Sequence, residues 1–247
     1  MTSEEGISIV PDMKDIFLAD AHLRRPADAN YRKLLEFLGT LEGNTRTLYL
    51  LGDIFEFWVG YRYVVFTAYL PLLEGLRRLR EAGTEIVFIE GNHDFHMGLY
   101  FTEILGCRVL PQEGSFDIDG KRVFLAHGDL MDEADVGYRR LRRVLRSLPL
   151  KVLIRIIPPD WTWGIAAWMG RVSKSQQARH EKRNPTPLLR NHATARFTEG
   201  YQVVMTGHFH LPLHEQDEQG EMFALGDWIR DFSYVECDDG AFSLRSF

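Results

Sequence analysis

The sequence predicts an α/β fold built on a largely parallel sheet. Apolar runs of strand length recur, and each stops abruptly at a polar residue: "DIFLAD" (15–20), "TLYLLGD" (47–53), "EIVFIEG" (85–91), "RVFLAHGD" (122–129) and "QVVMTGH" (202–208). Runs of this kind read as strands buried on both faces. Between the early runs lie segments with helical spacing. Strand–helix–strand alternation calls for crossover connections, and therefore for parallel neighbours.

Each element has its own signal. In "ANYRKLLEFLGTL", Leu34, Leu35, Leu38 and Leu41 fall on one helical face. "YLPLLEGLRRLREAG" repeats Leu72, Leu73, Leu76 and Leu79 and stops at Gly83. "FDIDGKRVFL" is a hairpin with an Asp-Gly turn, and two more hairpins are expected to turn near "DEQGE" and "CDDGA". In "YRRLRRVLRSLP", Tyr138, Leu141, Val144, Leu145 and Leu148 share a face and arginines cover the other. In "DWTWGIAAWMGRV", Trp161, Ile165, Trp168, Met169 and Val172 repeat at helical spacing, with Asp160 as N-cap after two prolines. These two helices and the apolar "LPLKVLIRIIPP" between them are expected to pack on one another as a cap, with some apolar surface left over.

A chain of 247 residues without a compositional break suggests one domain, residues 1–247, carrying an insertion at 136–184. Cys107 and Cys237 form no CxxC pair, which fits a reducing cytoplasm. No signal peptide is expected from "MTSEEGISIV", and no apolar run is long enough to span a bilayer. The net charge of −6 hides an asymmetry: residues 138–183 hold twelve Lys and Arg against only Asp160 and Glu181. An acidic body with one basic, Trp-rich insert suggests a catalyst with an anion- or membrane-seeking attachment. Basic flanks beside Trp and Leu faces are the mark of an interfacial helix, whereas a nucleic-acid arm would leave the apolar excess unexplained.

The chemistry sits where the strands end. Asp20 and His22, Asp53, Asn92 with His93 and Asp94, His127, and His208 with His210 each follow a buried strand, the position at which open α/β sheets bind ligands. Imidazole, carboxylate and amide without thiolate suit divalent cations such as Mn²⁺, Fe²⁺ or Zn²⁺. Seven candidate ligands exceed one tetrahedral ion and fit two metals bridged by a carboxylate. In Asp20-x-His22 and His208-x-His210, a locally extended chain would point both side chains the same way. The glycines before Asp53, Asn92 and His208 allow sharp turns and close approach to an anion.

The ordered set D-x-H, G-D, G-N-H-D, H-G-D and G-H-x-H, spread over residues 20 to 210, resembles the calcineurin-like metallophosphoesterase superfamily. The resemblance implies a four-layer α-β-β-α sandwich with a dinuclear centre. One metal would take Asp20, His22, Asp53 and His210. The other would take Asp53, Asn92, His127 and His208. Within that superfamily, "GDIFEFWVG" and the segment opening "DVGYR" are similar to the UDP-2,3-diacylglucosamine hydrolases, the pyrophosphatases of lipid A synthesis. In that family the insert is a helical lid that shelters acyl chains. Two departures stand out: His93 where those enzymes typically have Arg, and "YRY" after Gly60 where they carry paired acids. The wider superfamily uses His at the first position as a general acid or phosphate contact.

The resemblance implies hydrolysis of UDP-2,3-diacylglucosamine to 2,3-diacylglucosamine 1-phosphate and UMP, with two divalent ions, Mn²⁺ foremost. Asp94 would orient His93. Asn92, His93, Asp135, Ser173, Lys174 and His208 would touch the lipid-linked nucleotide-sugar. The enzyme would work in the cytoplasm against the inner face of the membrane. The rival readings are a phosphodiesterase of the same superfamily acting on a nucleotide or nucleic acid, and a non-catalytic scaffold of this fold.

Overall fold

The computed structural model describes residues 13–164 and 184–247. Four parallel strands, β1 (Lys14–Leu18), β2 (Thr45–Leu50), β3 (Glu85–Ile89) and β4 (Arg108–Leu110), alternate with α1 (Ala29–Leu41) and α2 (Leu70–Glu81). The chain then forms the hairpin of β5 (Glu113–Ile118) and β6 (Lys121–Ala126). It passes through α3 (Val136–Leu145), α4 (Leu148–Ile156) and α5 (Thr186–Thr198). Strands β7 (Val203–Thr206), β8 (Pro212–Gln216) and β9 (Glu221–Leu225) complete one sheet, and β10 (Ser233–Asp238) and β11 (Ala241–Ser246) return to the other. The two sheets run β11-β10-β1-β2-β3-β4 and β5-β6-β7-β9-β8. All three expected hairpins form. The turns at Asp119-Gly120 and Asp239-Gly240 carry positive φ at both residues, as a two-residue hairpin turn needs.

Period-two alternation sorts the strand residues into layers. Phe17, Leu51, Val87, Ile89, Leu125, Met205 and Phe223 meet between the sheets. Ile16, Leu18, Leu48, Leu50, Ile86 and Phe88 point the other way, onto Leu34 and Leu38 of α1 and Leu72 and Leu76 of α2. Phe124, Ala126, Val204 and Met222 face Leu189 and Ala193 of α5. Both faces of each sheet are therefore covered, which is why the strands read as unbroken apolar runs. This is the four-layer α-β-β-α arrangement.

One expectation is reversed. The apolar face of α3 does not turn inward: Leu141 is 49 % and Val144 60 % exposed, while Arg142 is 7 %. The arginines go in because the body offers them acceptors. Arg142 Nε donates to Asp129 (2.6 Å), and Arg146 donates to Glu90 (2.7 Å), to the Pro111 carbonyl (2.6 Å) and to the Gly91 carbonyl (2.8 Å). Leu145 and Ile154 supply the apolar part of the seat, against Val59, Tyr61 and Phe95. Leu148 and Ile156 stand 76 % and 74 % exposed. Beyond α4, the chain is helical again from residue 159. Asp160 therefore sits inside the first turn rather than capping it. Trp161 is 70 % exposed, whereas Trp163 packs on Phe66 and Tyr69. Trp168 lies outside the described residues.

Because Arg146 ties the end of α3 to three acceptors, Arg146→Ala should leave buried Glu90 without a counter-charge and with only the Met97 amide as donor, a change worth about 3 kcal/mol. Hydrogen exchange should quicken across 136–156 ahead of the strands. Uniform protection in the variant would show that the arginine does not anchor the segment.

Candidate metal centre

The strand ends deliver their side chains through strained turns rather than extended ones. Asp20, His22, Asp53, His208 and His210 all have φ between 44° and 70°. Asp and His are among the residue types that tolerate this left-handed region. The pairs Asp20/His22 and His208/His210 therefore converge through turns, not through the locally extended chain that their spacing suggested. Gly52, at φ 82°, makes one of the sharp turns expected, and none of the three glycines has room for a Cβ. A Cβ on Gly52 would lie 2.7 Å from the Gly91 Cα and 2.8 Å from His127 Nδ1, and one on Gly91 would strike the Asp53 carboxylate. A Cβ on Gly207 would meet Asp20 Oδ2 at 2.7 Å. They let the ligand-bearing loops press against each other.

Seven side chains come together as two groups. Asp20, His22 and His210 form one, and Asp53, His127 and His208 the other, each with its ligand atoms within 4.8 Å. Asp53 Oδ2 joins them, 3.8 Å from His22 Nε2 and 3.5 Å from His127 Nε2. Asn92 Oδ1 completes the second group, 3.1 Å from His127 Nε2. Three imidazoles are aimed from behind: His127 Nδ1 donates to the Leu51 carbonyl (2.8 Å), His22 Nδ1 lies 3.7 Å from Glu56, and His210 Nδ1 3.3 Å from Asp227. With Nδ1 of His127 and His210 bonded and that of His22 turned to Glu56, Nε2 is the nitrogen left for a metal. The Nε2 atoms of His22 and His210 face each other at 3.3 Å, and buried Asp20 Oδ1 has no partner. Converging acceptors without a donor are what a divalent cation satisfies, so the residues fit a metal pair.

His93 and Asp94 part company here. The His93 amide donates to Asp53 Oδ1 (2.9 Å), its Nδ1 to the Glu56 carbonyl (2.8 Å), and its ring stands edge-on to His22. Asp94 does not orient that ring. Its buried carboxylate accepts the amides of Asp53 (2.9 Å), Gly91 (3.0 Å), Ile54 (2.7 Å) and Phe55 (3.2 Å). It locks two ligand loops together. Asp135 caps α3, accepting the Tyr138 amide at 2.8 Å. Ser173 and Lys174 lie outside the described residues. Sequence reasoning missed Glu56 and Asp227 behind their histidines, and Asp129, which anchors Tyr138 and Arg142. Asp227 carried a readable signal: "FALGD" has the same apolar-run-then-Gly-Asp form as "YLLGD".

Burial and mutual charge set the proton inventory. Burial would strip the proton from His127, but Asp53 overrides it and lifts the pKa to about 10. Burial lifts Asp20 to about 6. Burial opposes ionisation of Asp53, yet the surrounding imidazoles, His127 foremost, hold it well below the usual carboxylate range. Burial pushes His208 down to about 4. Near neutral pH, His208 thus has no proton to lose, whereas His127 must surrender one to bind a metal. Affinity for Mn²⁺ should rise by about tenfold per pH unit for each proton displaced, more steeply once Asp20 is protonated as well. Calorimetric titration in buffers of different ionisation enthalpy should detect this release. An affinity flat with pH between roughly 6 and 9 would contradict it.

Residues 13–212 match the calcineurin-like phosphoesterase family. The chain is 30 % identical to the UDP-2,3-diacylglucosamine hydrolase of Pseudomonas savastanoi pv. phaseolicola (strain 1448A / Race 6), with 94 % of this chain and 95 % of that protein covered. It is 31 % identical to the hydrolase of the same name from Aeromonas salmonicida (strain A449), covering 92 % and 91 %. Among solved structures, that of a novel archaeal phosphodiesterase aligns with a TM-score of 0.51 at 16 % identity, over 95 % of this chain and all of that one, a likeness of fold. Every one of the seven converging side chains falls within the family match, and the chain belongs to the calcineurin-like phosphoesterase family.

Proposed function

We propose that this protein hydrolyses the pyrophosphate of UDP-2,3-diacylglucosamine, giving 2,3-diacylglucosamine 1-phosphate and UMP. The observation that carries the reading is the partnership of a two-metal phosphoesterase site with an apolar helical segment fastened to its ligand loops. End-to-end similarity to hydrolases of that name supports it. We assign residues 136–184 as a lid over the acyl chains and Mn²⁺ as the resident ion.

Two divalent cations would supply Lewis-acid stabilisation of the phosphoryl oxygens and a water nucleophile active at neutral pH. The chain does the rest. Asp53 spans both positions, and Glu56 and Asp227 hold the imidazoles of His22 and His210 in their orientations. Burial disfavours a charged His93, but Asp53 and the Glu56 carbonyl raise its pKa, so as an imidazolium it donates from Nδ1 to that carbonyl and from Nε2 to the phosphoryl oxygen or the leaving group. By the family's pattern, Asn92, Asp135, Ser173, Lys174 and His208 would contact the substrate.

The exposed face of Val144, Leu148, Ile156 and Trp161, together with exposed Arg140 and Arg143, suits an anionic lipid surface. No helix among the described residues is long and apolar enough to cross a membrane. Contact would be peripheral, at the inner face of the cytoplasmic membrane.

The test is a substrate panel with Mn²⁺: UDP-diacylglucosamine, cyclic nucleotides, a nitrophenyl phosphodiester and single-stranded DNA. Turnover of the first to UMP is expected, and efficient cleavage of cyclic nucleotides or DNA in its place would overturn the assignment. His93→Ala should lower turnover by roughly 10²–10⁴-fold with both metals retained. Unchanged turnover would remove His93 from the mechanism. Trp161→Gln should weaken salt-sensitive binding to anionic liposomes and raise the KM for the diacylated substrate, while a short soluble phosphodiester is spared. Equal losses on both substrates with a lower Tm would return Trp161 to a packing role.

A further inference from the structure

The two histidines at one end of the centre share a pattern that the metal chemistry does not use up. His22 is backed by Glu56, and Glu56 Oε1 accepts from Arg24 Nη2 at 2.5 Å. His210 is backed by Asp227, and Asp227 Oδ2 accepts from Arg230 Nε and Nη2 at 3.4 and 3.3 Å. The two imidazoles stack with centroids 5.1 Å apart. Each histidine thus has a carboxylate on its Nδ1 side, and each carboxylate carries an arginine. Neither arginine is consumed by its pair: the side chains of Arg24 and Arg230 are 47 % and 62 % exposed. A guanidinium has five N–H donors, and these contacts leave most of them turned to solvent.

The backbone holds both in place. The amides of His22 and Leu23 donate to the carbonyls of Asp53 and Ile54, and the Glu56 amide donates to Leu23, so the segments bearing Arg24 and Glu56 run side by side. Asp227 Oδ1 accepts the amides of Ile229 and Arg230 at 2.9 and 2.7 Å, which pins the turn bearing the second arginine. The lid is fastened elsewhere, to Glu90, Gly91 and Asp129 in the loops of Asn92 and His127. The helices are thus tied to the loops of one half of the centre, and the half-free guanidinium groups to the carboxylates behind the histidines of the other.

We infer that Arg24 and Arg230 form a clamp for a second phosphoryl group, and so select diphosphodiesters over substrates with one phosphoryl. The inference rests on the proposed pyrophosphate chemistry. While the metals engage the phosphorus under attack, its neighbour still carries charge. Arginine forks match phosphate oxygens in geometry and sign. The carboxylates behind the histidines then have two tasks: they aim the imidazoles, and they preset the arginines.

The test uses the metal-loaded full chain, with turnover of a nitrophenyl phosphodiester as reporter and UDP-glucose and UMP as competing inhibitors at fixed free Mn²⁺. In the unaltered protein UDP-glucose should bind the more tightly. Arg24→Gln and Arg230→Gln should each raise the ratio of the UDP-glucose inhibition constant to that of UMP by about tenfold, the usual size of a lost charged hydrogen bond. The double variant should raise it further, and Lys at either position should restore part of it. Metal content, read by elemental analysis, should hold. A ratio that stays put overturns the clamp. So does a parallel rise in both constants with loss of metal, because arginines that merely brace Glu56 and Asp227 would act that way. So does an unaltered protein that fails to prefer UDP-glucose. Failure of the lipid substrate itself would appear as no UMP from UDP-diacylglucosamine, with the shift in the inhibition ratio intact.

Discussion

The buried carboxylate of Asp94 is the constraint on which the site depends. Four backbone amides from two separate loops converge on its oxygens. An isolated ionised carboxylate in an apolar interior is prohibitively costly, and amide donors are what make it tolerable. Once satisfied, it acts as a rivet. The loop after β2 cannot shift against the loop after β3 without leaving several buried groups unpaired at once. Asp53, Asn92 and His93 inherit their positions from that junction, and the contact of Gly52 with Gly91 brings the two loops as near as backbones come.

A second layer of partners turns proximity into aim. Leu51, Glu56 and Asp227 each stand at the Nδ1 side of an imidazole, from two loops, those after β2 and β9. The ligand turns are strained, since five of the seven candidate ligands lie in the left-handed region. Strain of that kind persists only where neighbours over-determine the geometry. The stability that sustains it comes from the apolar layers on either side of both sheets, which leaves the sheet rims free to hold converging charge.

Much of this was legible in the residues, for identifiable reasons. Strands covered on both faces announce themselves as apolar runs, and polar residues at their ends announce a rim. The side chains named as ligands do converge, because parallel strands bring their C-terminal ends to one edge. What was not legible came from partners distant in sequence. Nothing in "YRRLRRVLR" reveals that Asp129, Glu90 and two carbonyls await its arginines, so an amphipathic reading put the wrong face inside. Asp94 looked like a companion to its neighbour His93, whereas three of its four amide partners lie about forty positions away. Glu56 could not be distinguished from a surface acid without knowing that Arg24 and His22 meet it.

The inverted helix α3 has a consequence for how this chain tolerates change in length. Successive residues of a helix are rotated by about 100° from one another. The seating of Arg142 and Arg146 therefore fixes the phase of the helix as well as its position. The short link from Asp129 to the Asp135 cap sets that phase. A single residue inserted or deleted there would swing both arginines away from their acceptors and roll Leu141 and Val144 toward Asp129 and Glu90. Substitutions within the link leave the phase alone. The link should thus vary in composition while keeping its length, whereas the turn at 217–220, far from any helix phase, is free to grow.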